Sequence, residues 1–166
     1  MKRQYIAVDL GAGSGRVMLG SLSDTLQLGE CYRFNNHQIK AGPFYHWDIL
    51  RLFHEIKIGL RKAREQADTP ISGIGVDTWG VDFGLIDHQG MLVSNPVCYR
   101  DARTDGMMEK AFELMPREEI FENTGIQFMQ INSVFQLFSS VQAGSPLIKA
   151  ADQLLFMPDL FNFLLT

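Results

Sequence analysis

The spacing of apolar residues changes along the chain, from a period of two at the front to one of three to four at the back. Tyr5-Ile6-Ala7-Val8 and Val17-Met18-Leu19 read as two strands. Leu26-Gln27-Leu28 through Cys31-Tyr32-Arg33-Phe34 reads as a third, closing an antiparallel meander. Asn35-Asn36-His37 breaks the pattern, and Ala41-Gly42-Pro43 marks a loop. Asp48 then caps a predicted helix with apolar Ile49, Leu52, Phe53, Ile56, Leu60 and Ala63 on one face. The other face carries Arg51, Glu55, Lys57, Arg61, Lys62 and Arg64, a solvated surface, and Thr69-Pro70 ends the helix. Ile71 to Asp77 is a glycine-spaced strand ending in an acid. Val81, Phe83 and Leu85 alternate as another, and Met91-Leu92-Val93 returns after the turn Asp87-His88-Gln89-Gly90. From Thr104 onward the period is helical, with faces at Met108, Ala111, Phe112 and Met115; at Ile120, Phe121 and Thr124; and at Val134, Leu137, Phe138 and Val141. The methionines on these faces read as core filler.

This order predicts an α/β fold with a mixed sheet, a leading antiparallel hairpin meander and flanking helices, because a parallel βαβ series would alternate more evenly. With 166 residues the chain fits one domain, 1–166, and no repeat or linker divides it. A net charge of −4 without a basic tract argues against a nucleic-acid surface. Cys31 and Cys98 sit in strand-like runs without zinc spacing and read as buried free thiols in a reducing compartment. The sequence has neither a signal-like apolar stretch nor a run of about 18 apolar residues, so a cytoplasmic protein without a membrane span is expected. Pro158-Asp159 opens an apolar segment that stops at Thr166 with no cap, which predicts a domain incomplete at its C-terminus.

One segment carries chemistry. Asp9-Leu10-Gly11-Ala12-Gly13-Ser14-Gly15-Arg16 puts an acid and three glycines between two strands. Glycines let backbone N–H groups face an anion without a Cβ in the way, which suits phosphate, and Asp9 suits a hard cation such as Mg²⁺. The dinucleotide fingerprint would need glycine where Arg16 stands, and a Walker A loop would need Gly-Lys-Ser/Thr where Gly15 is followed by Arg16-Val17. Both of those loops run into a helix, whereas this one runs into a strand. A hairpin phosphate loop remains, alongside an ordinary tight hairpin.

Further stretches give this loop a context. The first motif resembles that of the superfamily holding actin, heat-shock chaperones and sugar kinases. Arg33-Phe34-Asn35-Asn36, Gly75-Val76-Asp77-Thr78-Trp79-Gly80-Val81-Asp82-Phe83, Pro96 to Thr104, Thr124-Gly125-Ile126-Gln127-Phe128 and Leu155 to Phe161 resemble the FGGY carbohydrate kinases, in the family's order and along the whole chain. The resemblance implies an actin-like (ribonuclease H-like) ATPase domain. It also implies a kinase moving the γ-phosphoryl of ATP onto the 1-hydroxyl of L-rhamnulose in L-rhamnose catabolism; another ketose, such as fuculose or xylulose, is the alternative. It makes Ala12, Gly13, Ser14, Gly15 and Arg16 the ATP phosphate loop and puts Asp9 toward Mg²⁺. Gly80 would contact the ketose, and Asp82, Tyr99 and Asp101 are candidates for lining the sugar pocket. The family's general-base aspartate and adenine-binding elements lie beyond the equivalent of Thr166. The chain thus carries no catalytic base and only part of an active site.

Other readings of the same residues stand beside these. Trp79 either packs under its turn or stacks on a sugar. Asp77 and Asp101 fit acids bonded to their own backbone before a turn, and Arg100 or Arg103 a local ion pair. The four histidines show no catalytic spacing. A non-catalytic nucleotide-binding module is the competing class, and the stretches Thr78 to Asp82 and Tyr99 to Arg103 argue against it, because a nucleotide switch needs no sugar pocket.

Overall fold

The computed structural model describes residues 1–166, which separate into two compact units. The first comprises residues 1–38, 48–80 and 156–166. Strands β1 (Arg3–Leu10), β2 (Ser14–Leu22) and β3 (Leu26–Asn35) form the antiparallel meander, and β6 (Ile71–Thr78) adds in parallel to β1, giving the order β3-β2-β1-β6. The mixed sheet expected from the sequence is what forms. Alternation sets its faces: Gln4, Ile6, Val8 and Leu10 of β1 point into the core and the residues between them do not.

Helix α1 (Ile49–Gln66) covers that inner face. The Asp48 carboxylate accepts from the Arg51 N–H at 3.1 Å, closing the first turn as expected of an N-cap. Ile49, Leu52, Ile56 and Ala63 are fully buried, whereas Phe53 and Leu60 lie at the edge of the stripe. The closest approach falls at Gly59, where a Cβ would stand 2.3 Å from Val17 Cγ2. That glycine lets helix and strand touch. Helix α6 (Met157–Leu165) packs against β6 and buries Met157, Leu160 and Phe161.

The second unit comprises residues 39–47 and 81–155. It holds the hairpin β4 (Ile39–Ala41) and β5 (Phe44–His46), the pair β7 (Phe83–Ile86) and β8 (Gln153–Phe156), and helices α2 (Met107–Leu114), α3 (Arg117–Thr124), α4 (Ser133–Gln142) and α5 (Pro146–Ala150). The expected loop turns at Gly42-Pro43, where it is the tip of the β4–β5 hairpin, with Gly42 at φ +60. Other expectations are corrected. The return at Met91–Val93 is a single bridge, Ile86 to Leu92. In α4 the inward face is Phe135, Gln136 and Ser139, while Val134 and Val141 are more than half exposed. The helix is rotated because its inner side packs a polar network, and apolar spacing cannot report one. Cys98 is buried as expected, but Cys31 is half-buried. No helix is long and apolar enough to cross a membrane.

Candidate active site

The glycine segment is shorter as a loop than the motif suggests. Only residues 11–13 turn; Ser14, Gly15 and Arg16 already belong to β2, where Gly15 pairs with Leu10 and Arg16 with Asp9 across the ladder. The Gly11 N–H donates to the Ser14 carbonyl at 2.8 Å, closing the turn. Asn36 ties it from the side: its Nδ2 donates to the Gly11 carbonyl at 2.8 Å and its backbone N–H to the Gly13 carbonyl at 3.1 Å. Asn36 is buried, and its Oδ1 has no partner. In the sequence this residue is only the end of the Arg33–Asn36 family stretch; its place just after β3, beside the turn, gives it a role.

The three glycines differ in what they do. A Cβ on Gly15 would meet Phe34 Cζ at 2.4 Å and Leu10 Cδ2 at 2.7 Å, so packing demands glycine there. A Cβ on Gly13 would meet nothing within 4 Å, and the Ala12 and Gly13 N–H groups take no acceptor from the chain. The fold leaves donors and space at that point, which is what an anion cradle requires.

Asp9 and Arg16 are register partners, and Arg16 reaches the Oδ2 of Asp9 with Nε at 2.7 Å and Nη2 at 2.6 Å. The same register sets Asp77 of β6 beside Asp9 on the other side and Arg33 of β3 beside Arg16, so two acids and two cations share one row of the sheet. No cluster of three metal-ligating side chains exists. Asp9 therefore offers one carboxylate of the kind that holds Mg²⁺ together with phosphates and water.

Two candidates of the second unit, Asp82 and Tyr99, meet through a backbone bond. Asp82 is fully buried: Oδ2 accepts from Trp47 Nε1 at 2.6 Å and from the Tyr99 N–H at 3.2 Å, and Oδ1 accepts from Gln136 Nε2 at 3.0 Å. Gln136 Oε1 in turn accepts from Arg103 Nη2 at 2.7 Å, so a cation backs the buried acid through one amide. Burial pushes the Arg103 guanidinium below its ordinary pKa, and the charges of Asp101 and Asp82 oppose that shift. Asp101 is the cap of a short turn, Ala102–Thr104, taking the Arg103 N–H at 2.9 Å and the Tyr45 N–H at 2.8 Å. That is the backbone-bonded reading, and Arg103 makes its side-chain bonds to Gln136 and Ser140 instead of an ion pair. Tyr99 is half-buried, with Arg100 stacked at 5.3 Å from its ring and bonded to its hydroxyl at 3.1 Å. Gly80 is exposed, with open space where a Cβ would be.

A meander closed by a parallel strand, with an acid and a glycine turn at its first hairpin, defines an actin-like ATPase fold of the sugar-kinase kind. The solved xylulose kinase from Rhodospirillum rubrum superposes with a TM-score of 0.83 at 18% identity, covering 98% of this chain and 34% of that one. Residues 4–166 match the family model "FGGY family of carbohydrate kinases, N-terminal domain". The chain belongs to the FGGY family of carbohydrate kinases. Among curated relatives it is 44% identical over 161 residues to a rhamnulokinase of Halalkalibacterium halodurans, covering 97% of this chain and 34% of the relative. To a rhamnulokinase of Klebsiella pneumoniae strain 342 it is 45% identical over 167 residues, covering 99% and 34%. The chain thus spans about a third of the length of these relatives.

Proposed function

We propose that the protein to which this domain belongs transfers the γ-phosphoryl group of ATP to the 1-hydroxyl of L-rhamnulose, in cytoplasmic L-rhamnose breakdown. The observation that carries this is 44% identity along nearly the whole chain with rhamnulokinases, against 18% with a xylulose kinase of the same fold. The loop geometry supports the nucleotide half of the reading. Ala12 and Gly13 have N–H groups that no atom of the chain takes, and a ligand atom fits where a Gly13 Cβ would sit. Ala12, Gly13, Ser14 and Gly15 would hold the phosphates, with Arg16 at their flank. Asp9 would hold Mg²⁺, which when bound neutralises phosphate charge and aligns the phosphoryl group for transfer. Arg16 then exchanges one anion, Asp9, for another. Gly80 would contact the ketose, and Tyr99, Asp82 and Asp101 are the second unit's candidates for the sugar pocket. The base for the attacking hydroxyl would come from outside this chain.

The test is an ADP-release assay on the full-length protein with ATP, Mg²⁺ and a panel of L-rhamnulose, L-fuculose and D-xylulose. The highest kcat/KM is expected on L-rhamnulose. A higher value on another ketose would reassign the substrate, and no release above a blank with any ketose would overturn the reading.

A further inference from the structure

Val81 follows Gly80 and adopts φ 68, the one non-glycine residue of the chain in the left-handed region. A β-branched side chain is disfavoured there, so the surroundings must impose the conformation. Two donors of α4 do so. Ser133 Oγ donates to the Val81 carbonyl at 2.7 Å, and Gln136 Nε2 lies 3.2 Å from the same oxygen. Gln136 is itself held in place by Asp82 Oδ1 at 3.0 Å, the Ile131 carbonyl at 2.8 Å and Arg103 at 2.7 Å. Trp47 Nε1 fixes the other oxygen of Asp82. The strained residue is thus bonded to a network whose inner members, Asp82, Gln136 and Trp47, are fully buried and not free to rearrange singly.

We infer that Ser133, Gln136 and Asp82 are positioning residues that lock Val81 in this conformation and so set the direction of the Gly80–Val81 peptide toward the ketose. The inference rests on the proposed substrate role of Gly80. The Gly80 carbonyl and the Val81 nitrogen share one planar group, so a φ imposed at Val81 aims both. Strain of this kind serves preorganisation, since glycine at position 81 would take the same φ without cost and would also leave it freely. The valine, held against its preference, specifies one peptide orientation.

The experiment compares Val81→Gly and Ser133→Ala with wild type in the full-length protein, reading KM for L-rhamnulose, KM for ATP, kcat and Tm. Val81→Gly is expected to raise the ketose KM roughly tenfold, in the range that misplaced binding groups cost, with KM for ATP within about twofold and Tm unchanged or higher. Ser133→Ala is expected to move the ketose KM the same way by a smaller factor. A purely structural network would lower Tm and leave the ratio of the two KM values unchanged. That result in both variants would overturn the inference while leaving the kinase assignment standing. A Val81→Gly protein that does not fold would overturn it too, because relief of strain should not unfold the domain. A wild-type protein inactive on every ketose would sink both readings.

Discussion

Asp9 and Arg16 stand opposite each other on β1 and β2, and Arg16 sets two nitrogens, at 2.7 and 2.6 Å, on a single oxygen of Asp9. The pair is two-fifths exposed, so it contributes little to folding; exposed ion pairs are worth about 0–1 kcal/mol. Its position at the mouth of the glycine turn gives it another use. Asp9→Asn in the full-length protein should leave Tm nearly unchanged and cut kcat by roughly a hundredfold or more, by removing charge at the reacting centre. Thermal melting and ADP release check this, and an unchanged kcat with a large fall in Tm would make Asp9 structural.

Two glycines of the turn should separate fold from ligand. Gly15→Ala drives a Cβ into Phe34 and Leu10, and overpacking of that sort costs about 1–3 kcal/mol. Gly13→Ala meets open space and should leave stability within about 0.5 kcal/mol, as neutral surface changes do. Only the second should raise KM for ATP with an intact fold, by roughly tenfold, the order that a displaced binding geometry costs. Denaturant unfolding and ATP titration of both variants decide the matter; a Gly13→Ala protein with unaltered ATP affinity would remove that residue from the cradle.

The meander, α1 with its cap and the acid-ended β6 are legible because runs of strand- and helix-forming apolar residues mark them locally; burial follows that pattern in β1 and α1, while Leu26, Leu28 and Ile74 are at least half exposed. What periodicity missed has a common cause. Gln136 faces inward on α4 because Asp82 and Arg103 bond it there, and that is a long-range pairing that no local window contains. The family stretches offer Asp82 and Asp101 as sugar-pocket residues, and both are buried among donors that lie far away in sequence, Trp47 Nε1 and Tyr99 N–H on Asp82 and Tyr45 N–H on Asp101. Motifs mark where the chemistry lies, while only packing says which atoms of a motif face a ligand.

Trp47 and Asp82 make the test of that packing. Trp47→Phe keeps one aromatic ring, shortens a fully buried side chain and removes the indole donor at 2.6 Å, leaving a buried carboxylate short of one partner. Stripping a partner from a buried charge costs about 3–5 kcal/mol, less here because Tyr99 N–H and Gln136 still donate. A loss of about 2 kcal/mol is expected from urea unfolding, in line with an unsatisfied buried group. No loss would mean that the remaining donors satisfy Asp82 alone.

Gly59→Ala sets two effects against each other in α1. Alanine gains about 1 kcal/mol of helix propensity over glycine. Its Cβ would sit 2.3 Å from Val17 Cγ2 and 2.9 Å from Val17 Cβ, and both belong to a β-branched residue fixed in a central strand. The clash should win, with a net destabilisation of about 1–2 kcal/mol after the propensity gain. Adding Val17→Ala removes the 2.3 Å contact and keeps the one at 2.9 Å, so the double variant should lose less than the sum of the two single losses, a coupling that separate sites would not show. Unfolding of the two single variants and the double variant gives the coupling term, and simple additivity would refute the close contact.

Cys98 supplies the pH test. Burial pushes its thiol from 9.0 up to about 11, chiefly by desolvation, so the folded state holds a proton that the unfolded chain has already released. Between those values the native protein binds more protons than the unfolded one, and stability falls as pH rises. The contribution is fully present below about pH 9 and is lost as pH climbs through about 11. The Tyr32 phenol, raised by its bond to Glu55, adds a decline of the same sign. Cys98→Ala should therefore flatten the curve only in part, and urea midpoints at pH 8, 9 and 10 read the difference. At pH 8 iodoacetamide should label half-buried Cys31 well before Cys98, which reacts once the fold opens. Equal labelling of both thiols in the folded protein would contradict the burial of Cys98.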